Sequence, residues 1–143
     1  MQFSDSITHI AEALLKLQSQ LVQPKKTAIN PFHKSRYVTL EGTVDSIKGL
    51  CTEHGLSYTQ SIVSNATGVG VQTMIIHETG EYILHEPFYF PLQQQTPQGG
   101  ASASTYARRY SLSAAFGIVP EDDDDGNFAS GQQTKPQTKP ADF

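Results

Sequence analysis

The chain has 143 residues, 37% of them hydrophobic and 17% charged, and a formal net charge of −4. That size favours one domain. No apolar run approaches the ~20 residues of a membrane span, and the N-terminus lacks the basic start and apolar block of a signal peptide. A single cysteine, Cys51, excludes an internal disulfide and a cysteine-based zinc site, so a reducing cytoplasm is the expected setting.

Residues 4 to 22 read as an amphipathic helix. Ile7, Ile10, Leu14, Leu17 and Leu21 recur at helical spacing, Ala11 and Leu15 widen the stripe, Ser4 is the N-cap and Pro24 lies past the end. Residues 23 to 38 form a connector with Pro24 and Pro31. Thr39 caps a second helix that reaches about His54, with Val44, Ile47, Leu50 and Cys51 on its apolar face and Gly55 in the left-handed position after it. Three alternating runs follow, Leu56 to Val63, Val69 to Glu78 and Tyr82 to Phe90, joined by short Asn/Thr/Gly turns that signal hairpins. Pro87 and Pro91 make the third run an edge at that end, because proline donates no ladder hydrogen bond. Gln93 to Gly100 reads as a polar loop, and a last helix runs from about Ala101 to Phe116, where Gly117 stops it. The expected fold is α+β: two N-terminal helices, a three-stranded antiparallel meander and a C-terminal helix packed on the sheet. Residues 1 to 120 are the domain. Residues 121 to 143, acidic and then rich in Gln, Thr, Lys and Pro, are expected to be a disordered tail.

The net charge hides a division. Residues 1 to 120 hold eight Lys or Arg and eight Asp or Glu, whereas residues 121 to 143 hold two and six. The folded part is therefore neutral, with its cations clustered: Lys25, Lys26, Lys34 and Arg36 in the connector, and Arg108 and Arg109 in the last helix. Both clusters are interleaved with aromatics. Asn30-Pro31-Phe32-His33-Lys34-Ser35-Arg36-Tyr37 mixes cations with rings and polar donors, and Thr105-Tyr106-Ala107-Arg108-Arg109-Tyr110 sets two guanidinium groups between two tyrosines. Guanidinium groups grip phosphates and tyrosine rings stack on bases. The candidate nucleic-acid contacts are therefore Lys25, Lys26, Phe32, Lys34, Arg36, Tyr37, Thr105, Tyr106, Arg108, Arg109 and Tyr110. The bland alternative is an anchored loop, a tyrosine in the core and an arginine snorkelling to water.

Other chemistry is poorly represented. No phosphate-binding Gly-x-x-x-x-Gly-Lys-Ser/Thr pattern is present, which argues against an ATP-driven motor. The five histidines form no close-spaced ligand pair, and consecutive carboxylates on a tail lack the rigid geometry of a catalytic metal site. No nucleophile elbow or paired catalytic carboxylate stands out, so the chain is read as a binding protein without catalytic residues, metal or cofactor.

These residues resemble the ERF superfamily of phage single-strand annealing proteins, over roughly residues 7 to 129. The resemblance is carried by Asn30 to Tyr37 followed by Leu40-Glu41, by His54-Gly55-Leu56 and Gln60, and by Thr73-Met74-Ile75-Ile76-His77 with Thr79-Gly80. It continues through Thr96-Pro97-Gln98-Gly99-Gly100, Thr105 to Tyr110, Leu112, Gly117-Ile118 and the acidic run Glu121 to Asn127. Val38 stands where a small residue is usual, and the region after the acidic run is short. The resemblance implies an ATP-independent recombinase of the bacterial host cytoplasm, phage- or prophage-encoded. Such a protein coats single-stranded DNA as a homo-oligomeric ring or helical arc and pairs complementary strands; a phage exonuclease or host single-stranded-DNA-binding protein is the partner to look for. Two readings compete: a double-stranded-RNA-binding module, whose helix–strands–helix outline residues 40 to 116 share, and an oligomeric adaptor without nucleic-acid activity.

Overall fold

A computed structural model describes residues 1–122 of the chain. The tail expected to be disordered lies, from residue 123 onward, outside the described residues. The elements in chain order are β1 (Gln2–Phe3), α1 (Thr8–Gln20), β2 (Ala28–Ile29), β3 (Arg36–Tyr37), α2 (Leu40–Glu53), β4 (Leu56–Ser64), β5 (Gly68–His77), β6 (Tyr82–Leu84), β7 (Phe88–Pro91) and α3 (Pro97–Phe116). The α+β class and the three helices match expectation, but there are more strands than the three expected. The main sheet runs β1-β6-β5-β4, all antiparallel, and β7 also pairs with β5; β2 and β3 form a separate hairpin inside the connector.

The third expected strand is split by a bulge. Met74, Ile75 and Ile76 of β5 face Leu84, Ile83 and Tyr82, whereas Val71 and Val69 face Phe88 and Phe90. Between these two registers Gln72 and Thr73 stand against His85, Glu86 and Pro87, one residue more on the outer chain. An extra residue reverses which side chains face which way. Ile83, Phe88 and Phe90 therefore share the face of Val69, Val71 and Ile75. The bulge is held by His85 N–H donating to Thr73 O at 2.9 Å and by the Gln72 amide donating to His85 O at 3.3 Å.

The core lies between the helices and one face of this sheet. Ile10, Leu17, Ile47, Ile75, Leu112 and Phe116 are fully buried, and the Phe116 ring meets Tyr58 edge-on at 5.9 Å. Helix α2 forms as expected: Thr39 Oγ1 accepts from Gly42 N–H at 3.0 Å, and Gly55 takes φ +68°. Cys51 is buried on its inner face, and burial pushes its thiol up to about 11, so it is an inert core group.

Helix α1 is shorter than residues 4 to 22. Ser4 is no cap; it exchanges hydrogen bonds with the main chain of Tyr82, which extends the edge made by β1. Of the expected stripe, Ile10 and Leu17 are buried and Leu14 and Leu21 pack against them, whereas Ile7 and Leu15 are exposed and Ala13 takes an inner place. The helix start is capped from a distance. Glu81, buried on the turn before β6, accepts from the N–H groups of His9 (2.9 Å) and Ile10 (3.3 Å). Its other oxygen meets His9 Nδ1 at 2.5 Å and the Thr79 hydroxyl at 3.0 Å. Burial alone would raise the Glu81 pKa, but the bonds from His9, Ile10 and Thr79 outweigh it and hold the carboxyl below its ordinary value.

A depressed folded pKa stabilises the protein above the carboxylate range and loses that contribution as pH falls through the folded value. Wild-type melting temperature should therefore drop more steeply than that of Glu81→Gln between about pH 5 and pH 3, with the variant already less stable at pH 7. Parallel melting curves across that range would contradict the capping role.

Candidate nucleic-acid interface

The two arginines of α3 have opposite environments. Successive residues on a helix point about 100° apart, so Arg108 and Arg109 cannot share a face. Arg108 is exposed on the side of α3 that faces β4, where its main-chain carbonyl accepts from the Gln60 amide at 3.1 Å. Arg109 is 5% exposed. Its guanidinium donates to Val38 O at 3.4 Å and to Glu121 Oε1 at 3.1 Å, and lies over the rings of Tyr37 (4.4 Å), Tyr110 (4.7 Å) and Tyr106 (5.3 Å). The Tyr110 hydroxyl donates to the same Glu121 oxygen, and burial together with that carboxylate pushes its pKa up to about 12.

Arg109, expected at the surface on a phosphate, is thus turned inward. It joins three segments: the connector through Tyr37 and Val38, α3 through its tyrosines, and the start of the acidic run through Glu121. The main chain closes the same junction, with Val38 N–H donating to Pro120 O at 2.8 Å and an antiparallel bridge between Tyr37 and Glu121. Glu121, the first residue after the expected boundary, takes part in this contact.

The connector is a structured hairpin. Asn30 closes the loop: its side chain accepts from Phe32 N–H (2.9 Å) and His33 N–H (3.3 Å), its carbonyl accepts from Lys34 N–H (2.7 Å), and its N–H donates to Ser35 O (2.8 Å). Lys34 takes the left-handed conformation, φ +53°, to complete the turn. Phe32 stands at the tip, 88% exposed, and does not anchor the loop to the core. Below the tip, Lys25, Lys26, Thr27 and Arg36 line an open depression of about 700 Å³ together with Pro24 and Asp122. Lys26 Nζ lies 3.7 Å from Asp122.

The structure therefore gathers Lys25, Lys26 and Arg36 with Tyr37 beside them. Phe32 and Lys34 project from the hairpin tip, and Arg108 stands apart on α3. Thr105 is exposed, with its hydroxyl donating to Ala101 O at 3.1 Å, and Tyr106 is 46% exposed and stacked on Tyr110. The acidic partners Glu121 and Asp122 fall in the expected tail and carry no local sequence signal of their contacts with Arg109 and Lys26. Helix α3 also starts earlier than the expected Ala101. Thr96 caps the helix by accepting from Gly99 N–H at 3.0 Å and Pro97 is its first residue, so Gly99 and Gly100 lie in the first turn. The Thr-Pro pair carried that signal.

A protein-family model, the ERF superfamily, matches residues 10–142. The chain belongs to the ERF superfamily. Among curated proteins and among solved structures, none matches it significantly. The ERF match spans the hairpin, the cationic depression and the whole of α3. Among the described residues, no helix is long and apolar enough to cross a membrane and no group of three His, Cys, Asp or Glu is placed to hold a metal ion.

Breaking a buried ion pair leaves the partner charge unsatisfied and costs about 3–5 kcal/mol. Glu121 keeps some solvent contact, so Arg109→Ala should cost about 2–3 kcal/mol in chemical denaturation. Arg108→Ala should stay within about 0.5 kcal/mol of wild type. Equal stabilities for the two variants would refute the inward role of Arg109.

Proposed function

We propose that this protein binds single-stranded DNA by its backbone and anneals complementary strands without ATP, as a homo-oligomer. The observation that carries the reading is the convergence of Lys25, Lys26 and Arg36 on one open depression in an ERF-superfamily chain. Three cations around one depression suit phosphates of any sequence. The hairpin tip extends the cationic track through Lys34, and Arg108 adds a separate contact on α3. Held by its phosphates, a strand keeps most base edges free to meet a complement. Duplex formation then drives the reaction, at about 1.4 kcal/mol per base-pair step, so no nucleotide is consumed. Repeating the depression around an oligomer gives a track long enough to align two strands. The protein would work in the cytoplasm of a bacterial host, without cofactor or catalytic residues. A phage exonuclease supplying single strands, or a host single-stranded-DNA-binding protein, is its expected companion.

The acidic run has a part in this reading. Asp122 already sits beside Lys26 in the depression, where it competes with phosphate. Glu121 is structural, so a truncation meant to relieve competition should begin after it.

Arg36→Ala and Lys26→Ala should each weaken binding to all single-stranded sequences alike and reduce the salt dependence by about 0.7 of a counterion. Asp122→Asn should tighten binding at low salt. The decisive assay is fluorescence-monitored pairing of complementary oligonucleotides without nucleotide or metal, with light scattering to read the assembly. Failure to speed pairing would sink the proposal, and preference for duplex RNA would favour the competing module.

A further inference from the structure

A second concavity lies beyond the cationic depression, between the N-terminal half of α3 and β7. It holds about 350 Å³ and is lined by Phe90, Tyr106, Gln93, Gln94, Ser102 and Ala103 among others. Three features make it unlike ordinary surface. Its walls are aromatic: Phe90 lies 6.1 Å from Tyr106, a residue 46% exposed. Its helix wall is stripped of bulk, for residues 99 to 104 are Gly-Gly-Ala-Ser-Ala-Ser. The segment carrying the two glutamines is pressed against that helix, since a Cβ at Gly99 would stand 2.5 Å from Gln94 O.

We propose that this pocket accepts one unstacked nucleobase of the bound strand. The inference rests on the single-stranded DNA reading above and adds to it a base-binding site. Aromatic faces take any base, because every base has a π-face, and stacking is the sequence-tolerant way to hold one. A carboxamide carries both donor and acceptor, so Gln93 and Gln94 can meet any base edge without selecting one. The pocket is tied to the cationic depression through one buried side chain. The Arg109 guanidinium touches Tyr37, next to Arg36, on one side and Tyr106, the pocket wall, on the other. A strand laid over Lys26 and Arg36 can therefore turn one base toward Tyr106 while its neighbours stay outward. An extended peptide fits less well. Phe90 is paired with Val69 of β5, Leu92 N–H donates to Thr67 O, and Pro91, between them, has no N–H to offer a ladder.

The test compares a labelled oligothymidylate with the same oligomer made of abasic residues, by fluorescence anisotropy. Wild-type protein should prefer the base-bearing strand about ten-fold. Tyr106→Ala and the pocket-filling Ala103→Leu should bring oligothymidylate down to the abasic level with the salt slope unchanged, whereas Tyr106→Phe should keep the preference. Arg36→Ala should weaken both ligands and preserve their ratio. Melting curves restrict the comparison to folded variants. Equal wild-type affinity for the two strands overturns the pocket and leaves the DNA reading standing. So does full oligothymidylate affinity in folded Tyr106→Ala, the result expected if the pocket takes a side chain of a protein partner. Binding to neither strand overturns both.

Discussion

A buried guanidinium holds this structure together at the place where function is expected. A cation taken out of water is tolerated only if its donors are satisfied and its charge is met. Arg109 meets both conditions at once, with a carboxylate and a main-chain carbonyl in its plane and three tyrosine rings around it. Those partners come from the connector, the last helix and the start of the acidic run. The last helix packs on the sheet through Ala107, Leu112 and Phe116, and the ion pair and its aromatic cage fix the connector and Glu121 against it. Guanidinium rather than ammonium suits the place, because a planar, weakly hydrated cation can stack and donate together.

This arrangement separates holding from contacting. The residue that looks most like a phosphate clamp is consumed in the fold, and of the candidate contacts the cations left facing water are Lys25, Lys26, Arg36 and Lys34 of the connector and Arg108 on another side of α3. What Arg109 does here is place the rings of Tyr37 and Tyr106 against its own guanidinium, which under the proposed function sets them beside the strand. A rigid aromatic surface next to mobile surface cations is a sound combination for a polymer without fixed sequence. The cations supply long-range attraction, and the rings supply short-range contact at low entropic cost.

The sheet serves that surface through its irregularity. A regular third strand would have carried the alternation of Ile83 onward and sent Phe88 and Phe90 away from the helix. The extra residue at His85-Glu86-Pro87 reverses the alternation, so Phe88 meets Tyr110 and Phe90 meets both Tyr106 and Tyr110. A proline in that segment is compatible with the break because the ladder is already interrupted there.

Local signals settled the presence of three helices, the bounds of α2, the paired strands β4 and β5 and the α+β class from the amino-acid order alone. Periodicity, the Thr39 cap and the stop at Gly117 act within a few residues, and the structure keeps them. The family was legible too, because its motifs follow one another along most of the chain. Tertiary structure decided what depends on distant partners. Glu81 caps α1 across seventy residues of chain, Glu121 reaches back to Arg109 and Tyr37, and one surplus residue sets which face Phe90 occupies. The choice between the adjacent arginines was of this kind. Charge and spacing treat Arg108 and Arg109 alike, and only the packing of α3 against the connector determines which is desolvated and must find a carboxylate.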